Sequence, residues 1–101
     1  MNKFIVERNL PDAGSLTPEE LQIMSQLSCQ VMDKLGKSYY WIQSYITKDK
    51  IYCVHIAENE DMVRQHARLG NFPINTISEV IAVIDPLTSY GYHKPRSGKL
   101  V

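Results

Sequence analysis

The sequence predicts an α+β domain in which strands and helices follow the order β-α-β-β-α-β. Three observations carry that prediction. A capped amphipathic segment fills residues 18–35. Two runs rich in aromatic and β-branched residues flank a short polar turn at residues 48–50. Short apolar runs at residues 3–8 and 76–84 stand outside them, with a second helical pattern between.

Residues 3–8, KFIVER, run into the turn-forming stretch NLPDAGS and predict the first strand. The first helix is marked most clearly. Thr17 is its N-cap, Pro18 sits at the first helical position where a missing N–H costs nothing, and Glu20 completes a capping box. Leu16 and Leu21 occupy the staple positions around that cap. Leu21, Met24, Leu27, Val31 and Leu35 then recur at three- and four-residue steps, and Gly36 provides the stop.

YYWIQSYIT at 39–47 and IYCVHIA at 51–57 predict a β-hairpin around Lys48, Asp49 and Lys50. With Lys48 and Asp49 as its turn, Ile46 opposes Ile51, Tyr45 opposes Tyr52 and Ser44 opposes Cys53. Strict alternation puts Trp41, Gln43, Tyr45, Tyr52, Val54 and Ile56 on one face. The other face then carries Ile42, Ser44, Ile46, Ile51, Cys53 and His55, and a slip of one residue would exchange the two. Asn59 caps a second helix over 59–69, with Glu60 and Asp61 in the first turn where the helix dipole favours acids. Its inward stripe is Val63, His66 and Ala67, flanked by Met62, and Gly70 ends it. TISEVIAVI at 76–84 predicts the last strand, halted by Asp85 and Pro86.

This order is the split βαβ, or ferredoxin-like, arrangement: one four-stranded antiparallel sheet with two helices on one face. The other face stays bare. A face rich in Trp, Tyr and Ile left in water favours association. The expected outcome is a homodimer, two sheets packed face to face as a dimeric α+β barrel. Residues 1–87 are expected to form the domain, and 88–101 a basic C-terminal tail.

Eleven basic residues balance eleven acidic ones over 101 residues, and 44% of the chain is hydrophobic, which is the balance of a soluble globular domain. That composition excludes a disordered chain, a membrane-spanning one and a strongly basic nucleic-acid binder. The neutrality is a sum of unlike parts. From residue 86 onward the chain carries Lys94, Arg96 and Lys99 and no acid, so residues 1–85 are left with eight bases and eleven acids. The tail reads as an extended appendage, solvated or lying across a partner subunit. Cys29 and Cys53 show neither CxxC nor zinc spacing and read as two buried thiols of a reducing cytosol. The N-terminus has no signal-peptide pattern, so a cytoplasmic location is expected.

A few polar residues can carry chemistry. Glu7 sits in a central strand and needs a partner, Arg8, Arg64 or Arg68, unless it serves as a general base or metal ligand. His66 lies on an inward helix face, either as a core histidine or as a ligand or acid–base group. The second helix is expected to pack near the first strand, so Glu7 and His66 should meet at a sheet end. His55, the lone strand charge Glu79 and the tail residue His93 are weaker candidates. Trp41, Tyr45 and Tyr52, with Gln43 beside them, form either a dimer core or the wall of a small-ligand pocket. Hydrolase, Walker A, dinucleotide and RNA-binding signatures are absent, so no nucleic-acid or membrane partner is expected.

Three stretches together, ERNLPDAGSLTPEEL, WIQSYITKDKIYCVHIA and RQHARLGNFPINTISEV with VIDP after it, resemble a small bacterial ferredoxin-like family of unknown function. Some of its relatives are described as nickel-binding. The resemblance spans about residues 3–87 and implies a domain that is usually dimeric. Nickel-binding relatives carry an Asp-x-His pair in the first strand, a Glu late in the third strand and a His in the second helix. Here those positions read Ile5 and Glu7, Ile56, and His66. The resemblance therefore transfers Glu7 and His66 alone as metal candidates, with nickel as the implied metal. Three functions follow as expectations. The first is a dimeric binding protein for a small ligand or a divalent metal. The second is a cofactor-free enzyme, oxygenase- or isomerase-like, with Glu7 or His66 as catalytic base and Tyr45 or Tyr52 orienting a substrate oxygen. The third is a structural interaction domain.

Overall fold

Alternation along the two central strands decides which side of the molecule is inside. A computed structural model describes residues 1–36 and 38–91. Strand β1 is Asn2–Asn9, helix α1 Pro18–Leu35, β2 Tyr39–Ile46, β3 Lys50–Ala57, α2 Glu60–Gly70 and β4 Thr76–Glu79. The four strands form one antiparallel sheet in the order β2-β3-β1-β4. This is the predicted α+β, ferredoxin-like layout. Phe4, Val6 and Arg8 of β1 and Ile51, Cys53, His55 and Ala57 of β3 are buried against the helices. Their neighbours Ile5, Glu7, Tyr52, Val54 and Ile56 point to the opposite, open face. Burying each large apolar side chain of the core, Phe4, Val6 and Val63 among them, stabilises by about 1.5–3 kcal/mol.

Both helices start where their caps say. The Thr17 hydroxyl accepts from the Glu20 N–H at 3.1 Å, and the Glu20 carboxylate accepts from the Thr17 N–H at 2.9 Å. The Asn59 side chain accepts from the Met62 N–H at 3.0 Å, and Asn71 closes α2 in the left-handed conformation. The inward stripe of α1 differs by one step from the predicted one. Ser28 and Val31 are its buried residues, and Leu27 is exposed. The reason is the second helix. A small serine lets α1 approach α2, and its hydroxyl meets His66 there.

The hairpin register is as predicted, with Tyr45 opposite Tyr52, Ser44 opposite Cys53 and Ile46 opposite Ile51. Alternation then breaks once. Trp41 pairs with His55 and Gln43 with Val54, so Ile42 is an extra residue, a β-bulge. Past the bulge every side chain changes face. Tyr39 and Trp41 turn toward the helices, on the side of Ser44 and Ile46, and Tyr40 joins the open face. The expected grouping of Trp41 with Gln43, Tyr45 and Tyr52 is corrected accordingly.

Strand β4 is shorter than the predicted 76–84. The Val80 N–H still donates to the Lys3 carbonyl at 2.8 Å. Beyond that point its single neighbour β1 reaches its first paired residue, Asn2, and no further ladder is available. Ile81 and Ile84 are exposed, and residues 86–90 wind into a 3-10 helix capped by Asp85. Most of the predicted tail, with His93, Lys94, Arg96 and Lys99, lies outside the described residues. Cys53 is buried but Cys29 is exposed, which corrects the expectation of two buried thiols; both are free. Among the described residues no helix is long and apolar enough to cross a membrane.

Candidate functional site

The layer between sheet and helices holds an unusual polar group. The alternation that buries Phe4 and Val6 carries the next inward residue, Arg8, into the same layer, where it is 7% exposed. Its guanidinium stacks on Phe72 at 4.8 Å from the ring centroid. The ion pairs among the described residues are Lys50–Glu7 and Arg64–Glu60, so no carboxylate faces Arg8. Its Nε is buried with no hydrogen-bond partner.

Two histidines lie beside it. His55 Nδ1 is 2.7 Å from the Tyr39 hydroxyl, and His66 Nε2 is 3.2 Å from the Ser28 hydroxyl. The other nitrogen of each ring, His55 Nε2 and His66 Nδ1, is buried without a partner. The rings pack closely. Tyr39 and His66 stack at 5.0 Å, and His55 meets His66 edge-on at 5.0 Å. Burial pushes His55 down to about 3, helped by His66 and by the Arg8 charge. Burial likewise pushes His66 down to about 4, with Arg8 adding to it and the Ser28 contact opposing. Both rings are therefore neutral at pH 7. Burial raises Tyr39 well above its ordinary value, so the phenol keeps its proton.

A cavity of about 240 Å³ opens between α1 and the sheet, beside this group. Leu21, Met24, Trp41 and Ile51 make most of its wall apolar, and Arg8, Ser28 and His55 supply polar atoms. The β2–β3 side of the wall is tied together by hydrogen bonds. Trp41 Nε1 donates to Ser44 Oγ at 2.9 Å, and Ser44 Oγ donates to Cys53 Sγ at 3.0 Å. A 150 Å³ apolar cavity accepts a benzene molecule, so this space suits a ligand of about ten non-hydrogen atoms.

The predicted site residues do not all converge here. Glu7 lies on the open face, where Lys50 Nζ approaches at 2.6 Å and Thr76 Oγ1 donates at 3.2 Å. Those two contacts hold its carboxyl below the usual carboxylate range, and Lys50 is raised in return. The partner is thus Lys50 rather than Arg8, Arg64 or Arg68. Because Glu7 sits between Val6 and Arg8, it must point away from them. His66 is on the helix side, and α2 packs on α1 and β3, so the sheet separates Glu7 from His66. The expectation that they meet is corrected on that geometry. Gln43, Tyr45 and Tyr52 remain together on the open face, with the Gln43 amide bonded to the Tyr45 hydroxyl. Trp41 lines the cavity instead. Glu79 is exposed and opposite Phe4, on the other side of the sheet from Glu7.

Three residues of the buried group escaped the sequence reading. Arg8 was legible from β1, as the next inward position after Phe4 and Val6. Tyr39 was hidden by the bulge, and Ser28 by the stronger apolar stripe around it.

A nickel centre does not fit these donors. Among the described residues no group of three or more His, Cys, Asp or Glu gathers at one place. His55 and His66 each have one nitrogen engaged, and the Arg8 charge beside them opposes a dication.

The family model described as nickel responsive protein SCO4226-like matches residues 4–80. The crystal structure of SCO4226 from Streptomyces coelicolor A3(2) is similar, with a TM-score of 0.69 and 15% identity, over 81% of this chain and 99% of that one. No curated protein matches the chain. The chain belongs to the SCO4226-like family.

Proposed function

We propose that this member of the SCO4226-like family is a binding protein that holds a small ligand in the cavity between α1 and the sheet, and that it works as a homodimer. The cavity carries the reading: its mostly apolar wall includes Arg8 and His55, whose Nε and Nε2 are buried without a hydrogen-bond partner among the described residues. A buried polar group left without a partner costs about 1–3 kcal/mol, more when charged. A ligand that supplies the missing contacts recovers that cost.

Binding is favoured over cofactor-free catalysis because Glu7 and His66 stand on opposite sides of the sheet. Glu7 is held ionised by Lys50, and His66 is enclosed by other rings. The family description concerns nickel, but no described cluster supplies a nitrogen-rich donor set. Purified, tag-free protein is expected to carry well below one nickel ion per chain and to gain no thermal stability from added nickel. Stoichiometric nickel by elemental analysis would restore the metal reading.

The homodimer reading rests on the open face. Tyr40 and Tyr45 are exposed there beside half-buried Ile5, Val54 and Ile56. Two free thiols fit the reducing interior of a bacterial cell, and a cytoplasmic location belongs to the same proposal.

The cavity reading is tested on the full chain with a set of small aromatic probes that includes benzamide, phenol and benzoate. At least one is expected to shift the Trp41 indole N–H resonance saturably. If every probe leaves that resonance unmoved, the cavity is not a binding site.

A further inference from the structure

We propose that the ligand of this cavity is a small carboxylate with an apolar body, its carboxylate held by Arg8 and by the Nε2–H of His55. The inference rests on the cavity being a binding site and adds the chemical class of what it binds.

Arg8 is the starting point. A guanidinium is charged at every physiological pH, and a buried charge without a counter-charge costs several kcal/mol. No described carboxylate faces Arg8, and the two titratable rings packed near it, His55 and His66, are both neutral. Its immediate surroundings therefore leave one positive charge uncompensated in a largely apolar space. Phe72 covers one face of the guanidinium. That contact leaves the in-plane N–H groups available, and Nε in particular is unpartnered. The fork of N–H groups matches the two oxygens of a carboxylate.

His55 supplies a second donor. In the tautomer in which the buried Tyr39 hydroxyl donates to His55 Nδ1, its one hydrogen-bond partner among the described residues at 2.7 Å, the ring proton sits on Nε2. His55 lines the cavity, and its Nε2 has no hydrogen-bond partner among the described residues. The remaining wall decides the rest of the ligand. Leu21, Met24, Trp41, Ile46 and Ile51 dominate it, and the hydroxyls of Ser25, Ser28 and Ser44 are already bonded within the protein, so a fully polar anion such as phosphate would lose its hydration over most of its surface.

The test titrates the full chain at pH 7.5 with benzoate, benzamide and inorganic phosphate by calorimetry. Benzoate is expected to bind saturably at one per chain and about ten- to a hundredfold tighter than benzamide, the range of a charge-assisted hydrogen bond. Phosphate is expected not to bind. Arg8→Met should abolish the preference of benzoate over benzamide. Gln65→Ala, at an exposed position of α2, should leave it unchanged. Equal affinity for benzoate and benzamide would overturn the carboxylate assignment while leaving the cavity a binding site. Binding of neither would overturn the carboxylate assignment, and silence of phenol as well would overturn both readings. Phosphate binding as tightly as benzoate, or a benzoate preference that survives Arg8→Met, would also overturn it. Should Arg8→Met fail to fold, Arg8→Lys replaces it. That variant keeps the charge but loses the fork, so it should weaken benzoate and spare benzamide.

Discussion

Two buried histidines make the stability of this chain depend on pH. Their folded values, about 3 for His55 and about 4 for His66, lie below the ordinary histidine range. Below about pH 6.5 the unfolded chain therefore binds protons that the folded chain does not. Stability is full above about pH 7 and falls as the pH drops from 6.5 toward 4. By pH 5 the loss is on the order of 2 kcal/mol for each histidine. Urea unfolding at pH 7 and pH 5 measures it, and His66→Gln should remove about half of the difference between the two. Gly70 makes a second prediction at this scale. A Cβ there would overlap the Phe72 ring, which is already held by His66 and Arg8. Alanine gains about 1 kcal/mol of helix propensity over glycine, but displacing a packed ring costs about 1–3 kcal/mol. Gly70→Ala is expected to lower the melting temperature, and a rise would show that Phe72 moves freely.

Elements were legible where their signals are local. Thr17, Pro18 and Glu20 fix the start of α1 by chemistry within four residues, and the observed bounds agree. Thr17→Ala should cost about 1 kcal/mol, read from the shift of a chemical denaturation midpoint. The hairpin turn likewise set its own register up to Gln43. The bulge was not legible, because YYWIQSYI is rich in strand-forming residues on either side of it and alternates equally well with or without a break. The end of β4 was not legible for a different reason. TISEVIAVI has strand composition throughout, but where its neighbour stops is a property of the sheet and not of those residues. Ile42 separates side chain from spacing. Ile42→Ala at this exposed position should change stability by about 0.5 kcal/mol or less, whereas deleting Ile42 drives Tyr39 out of the core and should cost more than about 3 kcal/mol. Similar losses for the two would mean that the bulge is not what orients Tyr39.

At the scale of the whole molecule the sheet has one covered face and one that a single copy leaves open. If two copies close it, the mass in solution is twice 11.6 kDa. Val54→Glu, in the middle of that face, should then sediment as a monomer with its helices intact by circular dichroism. A wild-type chain that sediments at 11.6 kDa would remove the dimer. The layout of four strands and two helices was readable, but the site was not, since Glu7 and His66 looked near in topology and were divided by the sheet. Which face a residue serves depends on counting from the hairpin turn, and the extra residue at 42 shifts that count for everything before it. Identity and job are therefore uncoupled across this point. Two relatives with the same aromatic letters in β2, one a residue shorter, would line the ligand space with different side chains. A column-by-column comparison of such chains would pair residues that face opposite worlds.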